Sequence, residues 1–147
     1  GMQMAIGAAI AAPKRQIFCL VGDGGLQVNI GELATAAQEG ANIVLLLMNS
    51  HDYEVIKNIQ DAEYDGRRFY SDIYTPDFKA IAESNGWSYQ VLSELESAQN
   101  TFDTALSSKR PSMIEVDMLS IGPFARAFGG PPVKNHKEKI IETVEDN

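Results

Sequence analysis

Scarcity sets the first limits on this chain of 147 residues. A single cysteine, Cys19, excludes an intrachain disulfide and a thiolate zinc site. It lies within an apolar run and reads as a small core hydrophobe. Two histidines, His51 and His136, are too few for a histidine-built zinc centre. Basic residues are also few, 12 Lys and Arg against 20 Asp and Glu, for a net charge of −8. That balance argues against nucleic acid as a partner and favours a metal-bridged phosphate site over a bare one. No stretch approaches the ~18 apolar residues of a membrane helix, so no membrane partner is expected. Neither a Gly-x-Ser-x-Gly turn nor a Ser-His-Asp set is present. The opening GMQMAIGAAIAAPKR places Lys14-Arg15 after its apolar part, the reverse of a signal peptide; an amphipathic or buried helix is expected there.

What remains is an ordinary globular composition, 44% hydrophobic and 22% charged, suited to one domain with a real core. A helix over residues 2 to 12 should end at Pro13. Gln16 to Val21 and Ile43 to Met48 are short continuous apolar runs, as in parallel strands covered on both faces. Between them the pattern predicts a helix from about Asn29 to Glu39. It carries Ile30, Leu33, Ala34 and Ala37 on one face, and Gly40 sits at the C-cap. A short helix is expected from about Tyr53, then a loop over residues 61 to 74. Thr75-Pro76-Asp77 reads as a helix start capped by Thr75, with that helix ending at Gly86. Trp87 to Leu92 should be a strand, and Ser93 to Glu96 a capping box for a helix reaching Ser108. Ser112 to Val116 should be a further strand. The alternation indicates an α/β fold, a parallel sheet with helices on both faces. Past residue 119 irregular chain is expected, with a short helix near Glu138 to Val144.

Gly22 to Ser50 organises the whole: strand, acidic glycine turn, helix, strand, polar turn. In a right-handed βαβ unit both strands end at the same sheet edge, so Asp23 meets the Asn49-Ser50 turn. Gly22, Gly24 and Gly25 permit close backbone approach to a ligand, although tight-turn geometry alone is compatible with them. The nearby helix start favours anions. Asp23 repels a phosphate unless a hard divalent cation lies between them. The site so derived is a metal–diphosphate site almost without basic side chains.

Gly22-Asp23-Gly24, followed at this spacing by Asn49, resembles the thiamine-diphosphate motif that begins GDG and ends NN. Met4-Ala5-Ile6-Gly7-Ala8-Ala9 and Glu32-Leu33-Ala34-Thr35-Ala36 match its flanks. Residues 1 to 132 look like the carboxy-terminal, diphosphate-binding domain of the acetolactate synthase, benzoylformate decarboxylase and pyruvate decarboxylase family. Residues 133 to 147 then form a charged tail, and the front of the domain is missing from the pattern. The resemblance implies thiamine diphosphate and Mg²⁺ as cofactors, a small 2-oxo acid as substrate, and decarboxylation followed by aldehyde release or carboligation. It implies a cytoplasmic homo-oligomer. The metal ligands it implies are the side chains of Asp23 and Ser50 and the carbonyl of Asp52. The cofactor-binding stretch it implies is Gly22 to Gly25 with Asn49, Ser50, Asp52, Tyr53, Glu54 and Val55. The activating Glu of the family lies on a pyrimidine-binding domain of the same or a partner chain, so no catalytic residue is assigned here.

Two positions depart from the family pattern. Ser50 replaces an Asn and offers one neutral hydroxyl, a shorter and weaker ligand. Glu54 stands where many relatives have Gly; pointing inward it would weaken diphosphate binding, pointing to solvent it would matter little. These departures leave open a non-catalytic relative retained for assembly or regulation. Val55 and Ile56 line a substrate pocket or belong to the core. His51, Lys57, Arg67 and Arg68 either contact anions or are solvated. A nicotinamide-binding turn is disfavoured, because Gln27 stands where its third Gly is needed.

Overall fold

The computed structural model describes residues 1–122. The expected helix near Glu138 to Val144, the tail beyond Gly122 and the boundary after residue 132 fall outside that range. Four strands, β1 (Ile17–Gly22), β2 (Ile43–Asn49), β3 (Ser88–Leu92) and β4 (Ser112–Asp117), form one parallel sheet in the order β1-β2-β4-β3. Among the described residues seven helices accompany them: α1 (Met2–Ala11), α2 (Asp23–Val28), α3 (Glu32–Gln38), α4 (Glu54–Glu63), α5 (Phe78–Ser84), α6 (Ala98–Leu106) and α7 (Met118–Ile121).

The α/β architecture follows from alternation along each strand. Cys19, Ile43, Leu45, Leu47 and Met113 pack with Met2, Ile6, Leu26, Leu33, Phe78 and Trp87 into the larger core. Trp87 ties the sheet to α3, its indole N–H donating to the Leu33 carbonyl at 2.8 Å. On the other face Val44, Ile114, Val116 and Leu92 pack against Ala105 of α6 and Met118 of α7. Helices therefore lie on both faces, as expected.

Four local expectations are corrected. First, the helix foreseen from Asn29 to Glu39 is shorter, α3 starting only at Glu32, and a separate helix precedes it: Asp23-Gly24-Gly25 is the first turn of α2 rather than a loop. Two glycines disfavour helix, but Leu26, fully buried beneath them, anchors the turn in the core. Second, β1 is an edge strand among the described residues; only one of its faces is covered, and Phe18 and Leu20 are 52% and 63% exposed. Third, α5 is capped by Asp77, whose carboxylate accepts from the Ala80 N–H at 2.9 Å, while Thr75 Oγ1 pairs with His51 Nδ1. Fourth, the Ser93-to-Glu96 capping box does not form: a 3-10 turn at Leu95–Ser97 leads into α6 without a side-chain cap. Gly40, at φ 58°, does close α3 as expected.

Candidate functional site

β1 and β2 pair in parallel with Gly22 opposite Met48, so Asp23 and Asn49 leave the sheet side by side at its carboxyl edge. A cleft of about 350 Å³ opens there. Gly22 to Gly25, Ser50, Asp52, Tyr53, Glu54 and Val55 all border it, and Asn49 alone of the expected residues does not. Among the described residues no lysine, arginine or histidine borders the cleft. A neighbouring cavity of about 300 Å³ shares Ser50, Asp52, Glu54 and Met118 with it.

Asp23 is 2% exposed. Its Oδ1 accepts from the Gly24 N–H at 2.8 Å, whereas Oδ2 is buried without a hydrogen-bond partner among the described residues. Burial pushes its carboxyl pKa up; the Gly24 and His51 N–H groups oppose that, and the nearby Asp52 charge adds to it. A buried, half-satisfied carboxylate beside a second carboxylate is stabilised by a cation. The donor set available at this edge is hard oxygen: Asp23 Oδ2, the Ser50 hydroxyl and the Asp52 carbonyl. These fit Mg²⁺, which takes few protein ligands and keeps waters. Among the described residues no three His, Cys, Asp or Glu side chains converge as a metal cluster, and this mixed set needs none.

The glycines divide by role. Gly22 has φ −78° and ψ 160°, extended backbone open to any residue. Neither Gly24 nor Gly25 has positive φ, so turn geometry does not account for them. Gly24 is a matter of space: a Cβ there would lie 2.2 Å from Tyr53 Cε1. The Tyr53 ring thus lies over the glycine turn.

The loop from Asn49 to Tyr53 is strapped from outside. Asp52 forms an antiparallel bridge with Asp72, the Tyr53 N–H donates to the Ser71 carbonyl at 2.7 Å, and the Ile73 N–H donates to the His51 carbonyl at 3.3 Å. His51 takes φ 61°, a conformation uncommon outside glycine. Ser50 Oγ lies 3.1 Å from Asp52 Oδ1. Lys57 is occupied by Asp52 and Asp72, at 2.7 and 3.3 Å. Arg68 makes a two-pronged pair with Asp61, and Arg67 Nε donates to the Tyr64 carbonyl. These cations are engaged within the chain. Val55 and Ile56 are 43% and 42% exposed on α4 and border the cleft rather than joining the core. Glu54, half-buried, borders both cavities.

Sequence reasoning missed Leu20, Met48 and Met118, which supply apolar wall to the cleft. It also missed Glu115 and Tyr89. Glu115 Oε1 accepts from Asn49 Nδ2 at 2.7 Å, and its Oε2 accepts from the Tyr89 hydroxyl at 2.6 Å. In sequence both look like ordinary strand positions; only the strand order reveals them.

Comparison with known proteins bears on the fold and the family. The family model described as thiamine pyrophosphate enzyme, C-terminal TPP binding domain, matches residues 1–116. An acetolactate synthase large subunit of Parasynechococcus marenigrum (strain WH8102) is 36% identical over 118 residues, 79% of this chain and 19% of that protein. The acetolactate synthase isozyme 3 large subunit of Escherichia coli (strain K12) is 32% identical over 124 residues, 83% of this chain and 22% of that protein. Among solved structures, a Rhodococcus jostii RHA1 thiamine diphosphate-dependent 4-hydroxybenzoylformate decarboxylase superposes with a TM-score of 0.71 at 30% identity, covering 76% of this chain and 21% of that one. The chain spans about a fifth of the length of these relatives.

Proposed function

The chain belongs to the thiamine pyrophosphate enzymes as a C-terminal TPP-binding domain, and from that premise we propose that it builds the diphosphate and Mg²⁺ half of the cofactor site in an acetolactate-synthase-like enzyme acting on a 2-oxo acid. The observation that carries the reading is the buried, unpartnered Asp23 Oδ2 at the glycine cradle. When bound, thiamine diphosphate would supply the electron-poor ring that stores the electron pair left as carbon dioxide departs from a 2-oxo acid. The roles of this chain are binding and orientation. Asp23, Ser50 and the Asp52 carbonyl would hold Mg²⁺. The backbone from Gly22 to Gly25 would line the diphosphate's place in the cleft. Leu20, Met48 and Met118 would exclude water from one wall of the cleft. A pyrimidine-binding domain, on the same or a partner chain of a cytoplasmic oligomer, would complete the site.

The test is carbon dioxide release from a panel of 2-oxo acids by the assembled enzyme with thiamine diphosphate and Mg²⁺. Asp23→Ala should abolish it; release that survives this substitution unchanged would overturn the reading. A second reading, a site lapsed through evolution and kept for assembly, draws on Ser50, whose hydroxyl is turned to Asp52. It predicts no release from any 2-oxo acid, and restoration on Ser50→Asn would decide between the two.

A further inference from the structure

Asn49 ends β2, is 4% exposed and stands behind the cleft rather than in its wall. Its side-chain amide is held at both ends. Nδ2 donates to Glu115 Oε1 at 2.7 Å, and Oδ1 accepts from the His51 N–H at 3.3 Å. Glu115 lies on β4 opposite Leu47, so it shares a sheet face with Asn49 two residues on. Its second oxygen accepts from Tyr89 of β3. The bonds have a direction, because a carboxylate only accepts. Burial and then the bond to Glu115 push the Tyr89 hydroxyl pKa far above its usual value, which keeps it a donor.

We propose that Glu115 is a positioning residue of the diphosphate–metal site, fixing the Asn49 amide so that its oxygen faces the His51 N–H and sets the backbone of the Ser50-His51-Asp52 loop. An asparagine amide can turn either end toward a neighbour. Against an acceptor-only partner, one orientation leaves both ends satisfied and the other leaves neither. The satisfied orientation commits Oδ1 to His51, the residue held at φ 61°. That turn lies between Ser50 and Asp52, which border the same cleft as Asp23. Three strands thereby determine the shape of a loop that only one of them carries. The inference rests on the function proposed above, since the loop matters through the metal it holds.

The test measures Mn²⁺, in place of Mg²⁺, binding to the assembled enzyme with thiamine diphosphate, read from the electron paramagnetic resonance of the free ion. Glu115→Met removes the acceptor, and affinity should fall about 10- to 100-fold, as for other outer-shell partners of metal ligands. Glu115→Gln should stay within about threefold of wild type, because an amide oxygen still accepts from Asn49 while the amide nitrogen donates to the Tyr89 oxygen. Asn49→Asp sets two carboxylates face to face and should weaken binding. Adding Glu115→Gln to it should restore affinity, because the glutamine amide then donates to the aspartate. A role in fold stability alone would shift the melting temperature without this recovery. Glu115→Met binding within about threefold of wild type overturns the proposal. If that variant fails to fold, an Asn49→Asp/Glu115→Gln double variant no tighter than Asn49→Asp does so. Wild-type enzyme that binds no Mn²⁺ with the cofactor refutes the function itself, and the positioning role with it.

Discussion

Asp23 has one oxygen bonded to the Gly24 N–H, the other without a partner, and a pKa raised chiefly by burial. An aspartate raised in the folded state keeps its proton there after the unfolded chain has lost it. Its contribution to stability is therefore present below the ordinary value of 3.8 and lost as pH rises through the raised value. Asp23→Asn in the ligand-free chain should melt higher than wild type at neutral pH, and the gap should close in acid; parallel melting curves across pH would contradict this. The same variant should lose Mg²⁺-dependent cofactor binding, because a neutral amide leaves the site without its buried charge. At Gly24 the issue is space. Gly24→Ala sets a methyl against the Tyr53 ring and should cost about 1–3 kcal/mol in urea denaturation, with most of it recovered in a Gly24→Ala/Tyr53→Ser double variant. Equal losses with and without Tyr53 would show that the ring is not the obstacle.

Elements were legible where one periodicity ruled. The four strands fall where the apolar runs place them, to within a residue or two. Helix starts were harder, because a cap is a choice among neighbouring polar side chains that only backbone geometry makes. Thr75 and Asp77 both suit a cap, and the chain uses Asp77 because Thr75 pairs with His51 across the loop. Asp77→Ala should thus cost about 1 kcal/mol of stability, while Thr75→Ala should leave α5 intact; chemical denaturation of both variants checks the assignment. The glycine turn misled in the other direction. By propensity Asp23-Gly24-Gly25 is a loop, but the burial of Leu26 draws it into α2, a tertiary effect with no local signal.

At the scale of the whole molecule the cleft edge was readable because its two halves, Gly22 to Gly25 and Ser50 to Val55, are each continuous in sequence and follow parallel strands. Glu115 and Tyr89 were not, since they reach the site across β4 and β3. Coverage of β1 was likewise beyond reach of the sequence: an apolar run reads the same at the centre of a sheet and at its edge. Phe18 and Leu20 share the face of Val44 and Leu46, and α6 reaches only as far as a ring contact between Phe102 and Phe18, 6.4 Å between centroids. An exposed apolar edge strand invites pairing with another chain. The 147-residue chain alone should self-associate with rising concentration in sedimentation velocity, and Phe18→Lys should reduce this. A clean monomer at high concentration would count against it.

The most direct test of the central claim is calorimetric titration of thiamine diphosphate, with and without Mg²⁺, into the assembled enzyme that contains this domain and its pyrimidine-binding counterpart. The account predicts binding that requires Mg²⁺ and disappears in Asp23→Ala. Binding indifferent to Mg²⁺ and to that substitution, or no binding at all, would contradict it.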